Sequence, residues 1–152
     1  MLSFKKLKNQ GFTIVELLIV IVVIGILATL VITTYNGVQS KARDTKRQTD
    51  VNSIQGQVEA YNTNAGYYPT LANLNSAAWR AANLKGLDSN ALQDPQGSSQ
   101  TLVASPAAKS YAYAVTPSGC DNTTTNCVSY TLTATLENQI NGSSQYVKTG
   151  TD

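Results

Sequence analysis

One carboxylate, Glu16, stands at the start of a long apolar run that ends at Ile32. Thr29 is the only polar residue after Glu16 in this run, and the next charged residue along the chain is Lys41. An α-helix from Phe12 to the end of the run is about 30 Å long, enough to cross the hydrocarbon core of a bilayer. A carboxylate costs about 2.5–3.5 kcal/mol at mid-bilayer and marks a functional site by default. We therefore interpret Glu16 as a functional group whose positive partner lies on another molecule.

A short basic leader precedes the apolar run and contains Lys5, Lys6 and Lys8. These lysines predict that the N-terminus stays on the cytoplasmic side of a membrane and that the chain after the run lies outside. A secretory signal usually has an apolar region of about 7–15 residues followed by a small-x-small cleavage site. This run is longer, and residues 28–37 offer no convincing site of that kind. Two alternatives stay open, an uncleaved signal anchor and a long signal peptide cut near Tyr35.

The leader and the apolar run resemble the class III signal of type IV pilins and pseudopilins. The residues that carry the resemblance are the leader lysines, Gly11, Phe12, Thr13, Glu16, Leu17-Leu18-Ile19-Val20 and Ile24-Gly25-Ile26-Leu27-Ala28. The resemblance implies that a membrane prepilin peptidase cleaves after Gly11 and methylates the new amine of Phe12. It also implies that the apolar helix is kept, first as a membrane anchor and later as the core of a filament.

The spacing of Phe12 and Glu16 gives this resemblance a physical basis. Cleavage would leave a positive amine on Phe12, four residues from Glu16 and on the same face of a helix. The amine of an incoming subunit could neutralise Glu16 of a neighbour already in the filament. Leaving one charge of such a buried pair alone costs about 3–5 kcal/mol. Pairing within one subunit is the alternative, and we favour pairing between subunits.

The composition argues against general electrostatic binding to nucleic acid or to anionic membranes. Removal of residues 1–11 takes three of the eleven basic side chains and leaves eight against nine acidic ones, a net charge of −1. Asn, Gln, Ser and Thr are abundant, which suits the exterior of an exposed fibre. The chain after the apolar run is long enough for one small domain.

The sequence contains two cysteines, Cys120 and Cys127. In an exported chain such a pair is most simply a disulfide, although it would stay reduced in a compartment that lacks an oxidant. A zinc site lacks ligands because the chain has no His and no second thiol pair. Asp121, Asn122 and Asn126 offer oxygens between the cysteines, but one carboxylate is little for calcium, and we predict no metal site.

No set of residues typical of catalysis is visible in the sequence. The chain has no His, and Glu59, Asp88, Asp94 and Glu137 lie in unrelated contexts. No glycine-rich phosphate loop follows a predicted strand. We therefore predict that the protein is not an enzyme and binds no cofactor.

The helix is expected to continue beyond the apolar run. Val51, Ile54, Val58 and Tyr61 recur at spacings of three and four residues and predict a buried face. Gly66 and Pro69 predict the end of the helix. Residues 42–50 carry five charged side chains and no large apolar one. A solvated helix neck is the interpretation that we favour slightly for them, and charge matching between subunits is the alternative.

The C-terminal part changes to a period of two residues, which is typical of strands. Apolar residues alternate with polar or small ones over residues 111–115 and 128–136, and Asn141-Gly142 predicts a tight hairpin before residues 145–148. We expect an α+β fold, in which a long N-terminal helix packs on about three antiparallel strands, the first hairpin being pinned by the cysteines. In the connecting region between the helix and the strands, Trp79 is expected to cover the core rather than to act as an adhesive surface residue.

These expectations divide the chain into five parts. They are a leader (1–11), an apolar membrane or filament-core helix (12–34), its amphipathic continuation (35–66), a connecting region (67–109) and a sheet head (110–152).

The resemblance implies a structural subunit of a type IV pilus, which polymerises into a surface filament for adhesion, twitching motility or DNA uptake. Its partners would be other copies of the chain, the prepilin peptidase and an inner-membrane assembly platform. A membrane precursor would come first and an extracellular filament later. The alternatives are a pseudopilin of a type II secretion or competence system and a monomeric, membrane-anchored binding domain.

Overall fold

The computed structural model of the protein describes residues 11–150, so the leader lysines lie outside the described residues. The chain divides into two compact units, with the boundary between Gln39 and Ser40. Helix α1 (Ile14–Ala65) contributes residues to both units. The remaining elements belong to the second unit: α2 (Leu71–Asn75), α3 (Ala77–Asn83), a 3₁₀ turn (Ser89–Leu92), β1 (Tyr111–Thr116), β2 (Ser129–Ile140) and β3 (Ser143–Thr149).

In the second unit, α1 presents the predicted apolar face to the core. Val51, Ile54 and Val58 are fully buried, and Tyr61 is packed against them at the edge. The helix ends at Ala65 because Gly66 adopts a φ of 79°, a conformation that glycine takes without strain. The predicted stripe and the predicted end of the helix are both confirmed.

The three strands form one antiparallel sheet in the order β1-β2-β3, which confirms the α+β fold. Tyr111 pairs with Ala134 and Tyr113 with Leu132, so their side chains share the buried face. The β2–β3 hairpin turns at Asn141-Gly142, where the φ values are 52° and 80°. Positive φ at both positions is what a type I′ turn requires, and the predicted hairpin is confirmed.

The alternation fails at one predicted core residue. Val128 is 46% exposed, although Tyr130 and Leu132 are buried. It immediately precedes Ser129, the first residue of β2, and so lies outside the strand at the end of the sheet. Trp79 is half-buried against the core and contacts Tyr61 edge-on at a ring distance of 5.0 Å, as expected for a residue that covers the core.

Buried tyrosines join the sheet to the helix through carboxylates. The Tyr130 hydroxyl donates to Glu59 over 2.8 Å and the Tyr111 hydroxyl donates to Asp50 over 2.8 Å. Burial, reinforced by the neighbouring carboxylates, raises the pKa of both phenols far above the ordinary value. Both phenols therefore remain neutral donors at any physiological pH.

The charged residues at the start of the second unit do not form a solvated neck, and that interpretation is wrong. Asp44, Arg47 and Asp50 are each at least 94% buried. Arg47 donates from Nη1 to Asp44 and Glu137 over 2.8 and 2.7 Å, and from Nε to Asp94 over 2.6 Å. Asp94 and Glu137, which the sequence placed in unrelated contexts, therefore share one arginine.

Local structure positions each carboxylate of this cluster, which we call the Arg47 cluster (Arg43, Asp44, Arg47, Asp94 and Glu137). Asp94 opens a turn, which the Gly97 N–H closes by donating a 2.8 Å hydrogen bond to the Asp94 carbonyl. Asp44 accepts hydrogen bonds from the backbone N–H groups of Glu137 and Asn138 at 2.9 and 2.8 Å. The cluster thus ties α1, the connecting region and β2 together.

The pKa of the Glu137 carboxyl is lowered to about 2, chiefly by its hydrogen bonds with Arg43 and then by those with Arg47. Burial alone would raise the pKa of Asp44. The hydrogen bonds that it accepts from Glu137, Asn138 and Arg47 outweigh burial and lower that pKa. Both groups are therefore ionised in the folded protein at neutral pH.

Removing one carboxylate of the cluster should destabilise the protein. Asp94→Asn leaves the buried Arg47 short of a counter-charge, and we expect the free energy of unfolding to fall by about 3 kcal/mol. The measurement is urea unfolding of the full chain in detergent, followed by Trp79 fluorescence. Asp88→Asn is the matched control, because Asp88 is exposed and asparagine can replace it as a helix cap. Equal unfolding midpoints for the two variants would contradict the role given to the cluster.

Acid should weaken the same cluster. Because the pKa of Glu137 is lowered in the folded protein from the ordinary 4.5, its contribution is complete above about pH 4.5 and is lost as the pH falls toward 2. We expect Glu137→Gln to be less stable than the wild type at pH 7 by about 1 kcal/mol, after allowance for solvent screening. The gap should narrow at pH 3 in urea unfolding measured at both pH values. A gap that stays constant would show that the charge of Glu137 does not stabilise the fold.

Candidate functional site

Gly11, Phe12 and Thr13 precede the first turn of α1, and Glu16 lies in that turn. The Thr13 N–H and the Thr13 hydroxyl each donate to Glu16 Oε2 over 2.7 Å, while the Glu16 N–H donates to Thr13 Oγ1 over 3.2 Å. This reciprocal arrangement is a capping box, which satisfies N–H groups that a helix start otherwise leaves unpaired. Glu16 therefore stabilises the start of the helix on which it lies.

The capping box does not neutralise Glu16. Both donors come from Thr13, which carries no charge, and both bind the same carboxylate oxygen. Within residues 11–150 the other oxygen, Oε1, makes no hydrogen bond. The site therefore holds one negative charge and one oxygen that can accept a further donor, such as an ammonium group.

The helix surface around Glu16 is apolar and exposed. Phe12 is 91% exposed, and every apolar side chain from Ile14 to Ile32 that is described faces outward in the single chain. The Thr29 hydroxyl donates to the Gly25 carbonyl over 2.9 Å, which removes the cost of a polar group on this surface. An apolar surface of this extent is expected to be covered by lipid or by protein.

Helix α1 is the one helix in residues 11–150 that is long and apolar enough to cross a membrane. The segment for which we predict an apolar membrane or filament-core helix is helical without a break from Ile14 onward.

The structure pairs Cys120 with Cys127 as a disulfide, with 5.3 Å between their Cα atoms. Inside the loop, Asp121 accepts hydrogen bonds from the backbone N–H groups of Thr123 and Thr124 at 2.9 and 2.7 Å. These bonds, with a further one from Thr125, lower the pKa of Asp121. The loop's one carboxylate thus organises its own backbone.

Asn122 closes the disulfide loop onto the segment that follows α1. Its Oδ1 accepts the Cys127 N–H over 2.8 Å, and its Nδ2 donates to the Tyr68 carbonyl over 2.8 Å. The oxygens that we considered for calcium on Asp121 and Asn122 therefore accept hydrogen bonds from backbone N–H groups and, at Asp121 Oδ2, from the Thr124 hydroxyl. Among the described residues, no group of three or more His, Cys, Asp or Glu is arranged to hold a metal ion.

The structure brings Gly11, Phe12 and Glu16 together at one helix start. Sequence analysis did not predict that Thr13 caps the helix, although the pattern Thr-x-x-Glu before an apolar run is the sequence signature of a capping box. It also missed the Arg47 cluster. The sequence does contain a signal for this cluster. Asp44, Arg47, Val51 and Ile54 are three or four residues apart, which places both charged residues on the buried face of the helix.

The family model described as "Prokaryotic N-terminal methylation motif" matches residues 6–32. Among curated proteins, the chain is 32% identical to the type II secretion system core protein G of Klebsiella pneumoniae over 105 residues, 63% of this chain and 75% of that protein. The proteins of the same name from Escherichia coli K12 and Vibrio cholerae are each 36% identical over 63 and 67 residues, 41% and 43% of this chain. No solved structure matches the chain significantly.

The match covers 43% of the Escherichia coli protein and 46% of the Vibrio cholerae protein, so the chain spans less than half the length of these relatives. Its match to the Klebsiella pneumoniae protein covers three quarters of that protein and extends well beyond the methylation motif. Together with the long apolar helix and the small antiparallel sheet, these similarities show that the chain belongs to the family of type IV pilins and pseudopilins.

Proposed function

We propose that the protein is a pseudopilin, a structural subunit that polymerises through its N-terminal helix into a short filament of a type II secretion system. The observation that carries this proposal is the 105-residue similarity to the Klebsiella pneumoniae core protein G. The N-terminal motif alone spans 27 residues and is common to pilins and pseudopilins, so it does not separate them. The similarity beyond the methylation motif is what favours the secretion system over our first expectation of a type IV pilus.

The fold supports a structural rather than an enzymatic role. In the second unit the carboxylates of the Arg47 cluster are held by arginines, and Glu59 by two tyrosine hydroxyls. These groups hold the helix on the sheet. What the chain offers to a partner is the exposed apolar face of α1, with one charge at its start.

The first step of the proposed function is processing by a prepilin peptidase. Cleavage after Gly11 would convert the backbone nitrogen of Phe12 into a charged amine, which the peptidase would methylate. Phe12 lies outside the helix and is 91% exposed, so the bond before it is accessible in the single chain. A Cβ atom at Gly11 would meet no atom within 4 Å, so a substitution there leaves the fold intact.

The second step is assembly. The amine of an incoming subunit would approach Glu16 of a neighbour, and Oε1 is the oxygen left available for it. Inside a filament the pair would be shielded from water, where an unpaired charge is costly. The apolar faces of neighbouring helices would cover one another, and the charge pair would fix their register. Pairing of Glu16 with the amine of its own chain remains the alternative.

A type IV pilus subunit is the second candidate function, supported by the methylation motif and the apolar helix. Deletion of the chain from its host separates the two. A pseudopilin is required for release of secreted proteins into the medium, whereas a pilus subunit is required for abundant surface filaments. Loss of filaments with normal secretion would overturn our proposal in favour of the pilus.

Substitution of Gly11 should block processing. We expect Gly11→Leu to accumulate in the membrane as a precursor that retains residues 1–11, because a bulky side chain before the cleaved bond hinders the peptidase. The measurement is the intact mass of the chain purified from membranes. Gly25→Ala is the control, since it adds a methyl group in open space within α1 and should be processed normally. A Gly11→Leu product that begins at Phe12 would contradict the assigned site.

Two substitutions distinguish the charge of Glu16 from its capping role. Glu16→Gln keeps the capping box but removes the charge, and Thr13→Ala removes the capping hydroxyl but keeps the charge. If the amine of a neighbour binds Glu16, Glu16→Gln and Glu16→Val should insert normally yet lose at least about 90% of the filament yield. Thr13→Ala should retain most of that yield.

The yield is measured as the polymer fraction sheared from cells that express equal amounts of each variant. Asn36→Ala, an exposed polar position in the same unit, is the control. Normal filaments from Glu16→Gln, with loss only in Thr13→Ala, would show that Glu16 serves the helix start alone.

A further inference from the structure

Arg80 is a buried cation that has no carboxylate partner among residues 11–150. It is 7% exposed, and its Nη1 donates to the Leu74 carbonyl over 2.5 Å. No described Asp or Glu oxygen lies within 4.0 Å of its guanidinium group. Arg47, which is 2% exposed, has three carboxylates. No described carboxylate compensates the charge of Arg80, and a negative group from elsewhere would do so.

The remaining donors of Arg80 keep some contact with solvent, although the residue as a whole is 7% exposed. Its Nε and Nη2 make no hydrogen bond with the described residues, yet no buried side-chain nitrogen or oxygen there lacks a partner. Nε and Nη2 are therefore accessible rather than sealed in the core. A guanidinium edge with these two groups presents two parallel N–H donors, which match the two oxygens of a carboxylate or phosphate.

Arg80 lines a surface cavity of about 320 Å³. Lys85 and Ser89 add an ammonium group and a hydroxyl to its lining, and both residues are exposed. The rest of the lining is apolar and consists of Ala77, Ala81, Leu84 and Leu87. No acidic residue lines the cavity, so it combines two positive charges with a hydroxyl donor, and more of its lining surface is polar than apolar.

We propose that this cavity is an anion-binding pocket that takes the carboxylate or phosphate group of a ligand. Arg80 supplies the fixed two-point contact, since its guanidinium is held by the Leu74 carbonyl. Lys85 supplies a mobile second charge, and Ser89 a hydroxyl. The pocket belongs to the folded second unit and does not depend on whether the chain forms a secretion filament or a pilus.

The test is a titration of the ¹⁵N-labelled full chain in detergent with sodium acetate and with inorganic phosphate, each compared with sodium chloride at equal ionic strength. We expect saturable NMR shifts of the Arg80 Nε–H signal and of the backbone amides of residues 80–89 for at least one of the two oxyanions. Acetate alone, phosphate alone or both would fit the proposal and would identify the preferred group. Shifts no larger than those with chloride would overturn it.

Charge variants separate the pocket from a general effect of salt. Lys85→Gln should weaken the binding about two- to fivefold, as expected for loss of an exposed charge. Lys41→Gln makes the same change of charge at an exposed position on α1 and should leave the affinity unaltered. Equal affinities for these two variants would overturn the proposal.

Arg80→Lys keeps the positive charge but loses the two-point contact, and it should abolish saturable binding. Its fold is checked by the near-ultraviolet circular dichroism of Trp79. Unchanged affinity in a folded Arg80→Lys variant would contradict the proposal. If that variant does not fold, the comparison of Lys85→Gln with Lys41→Gln decides the question alone.

Discussion

The second unit depends on the compensation of one buried guanidinium. Arg47 is 2% exposed, and its charge is stable there because the helix, the connecting region and the second strand each bring a carboxylate to it. A buried ion pair contributes less to stability than its contacts suggest, because desolvation offsets much of the attraction. We expect it to contribute more to specificity, since the observed register of helix against sheet brings Arg47 and its three carboxylates together. The apolar stripe from Val51 to Val58 supplies the free energy of burial, and the cluster selects the arrangement.

Helix α1 meets opposite requirements along its length. Between Val51 and Val58 its apolar face is covered by the sheet of the same chain. Between Ile14 and Ile32 the apolar side chains are exposed in the single chain and need another environment. We therefore expect the segment from Ile14 to Ile32 to depend on a membrane or on neighbouring subunits for its stability. Glu16 lies at the start of this segment, so the same change of environment would also alter the energy of its charge.

The features of the fold that the sequence predicted are those with strong local rules. The helical stripe, the stop at Gly66 and the turn at Asn141-Gly142 each follow from one period or one backbone conformation, and the structure confirms them. The burial of Asp44 and Arg47 could not be predicted in this way, because charged residues usually face solvent. Their distant partners lie about 45 to 95 residues away along the chain. Local sequence patterns do not show which distant carboxylate will contact them. The same limit applies to Arg80, because only the three-dimensional structure shows that it has no carboxylate partner among residues 11–150.

The two contacts of the Asn122 side chain have a consequence for glycan attachment. Asn122-Thr123-Thr124 and Asn141-Gly142-Ser143 both match the acceptor pattern for N-linked sugars. A sugar on Asn122 would replace one of the two hydrogens on the nitrogen that donates to the Tyr68 carbonyl and would crowd this contact. Asn141 is exposed at the tip of a hairpin, where a sugar meets no such obstacle. In a host with the transferase, the two matching sites would therefore differ in occupancy, and Asn141 would carry the glycan.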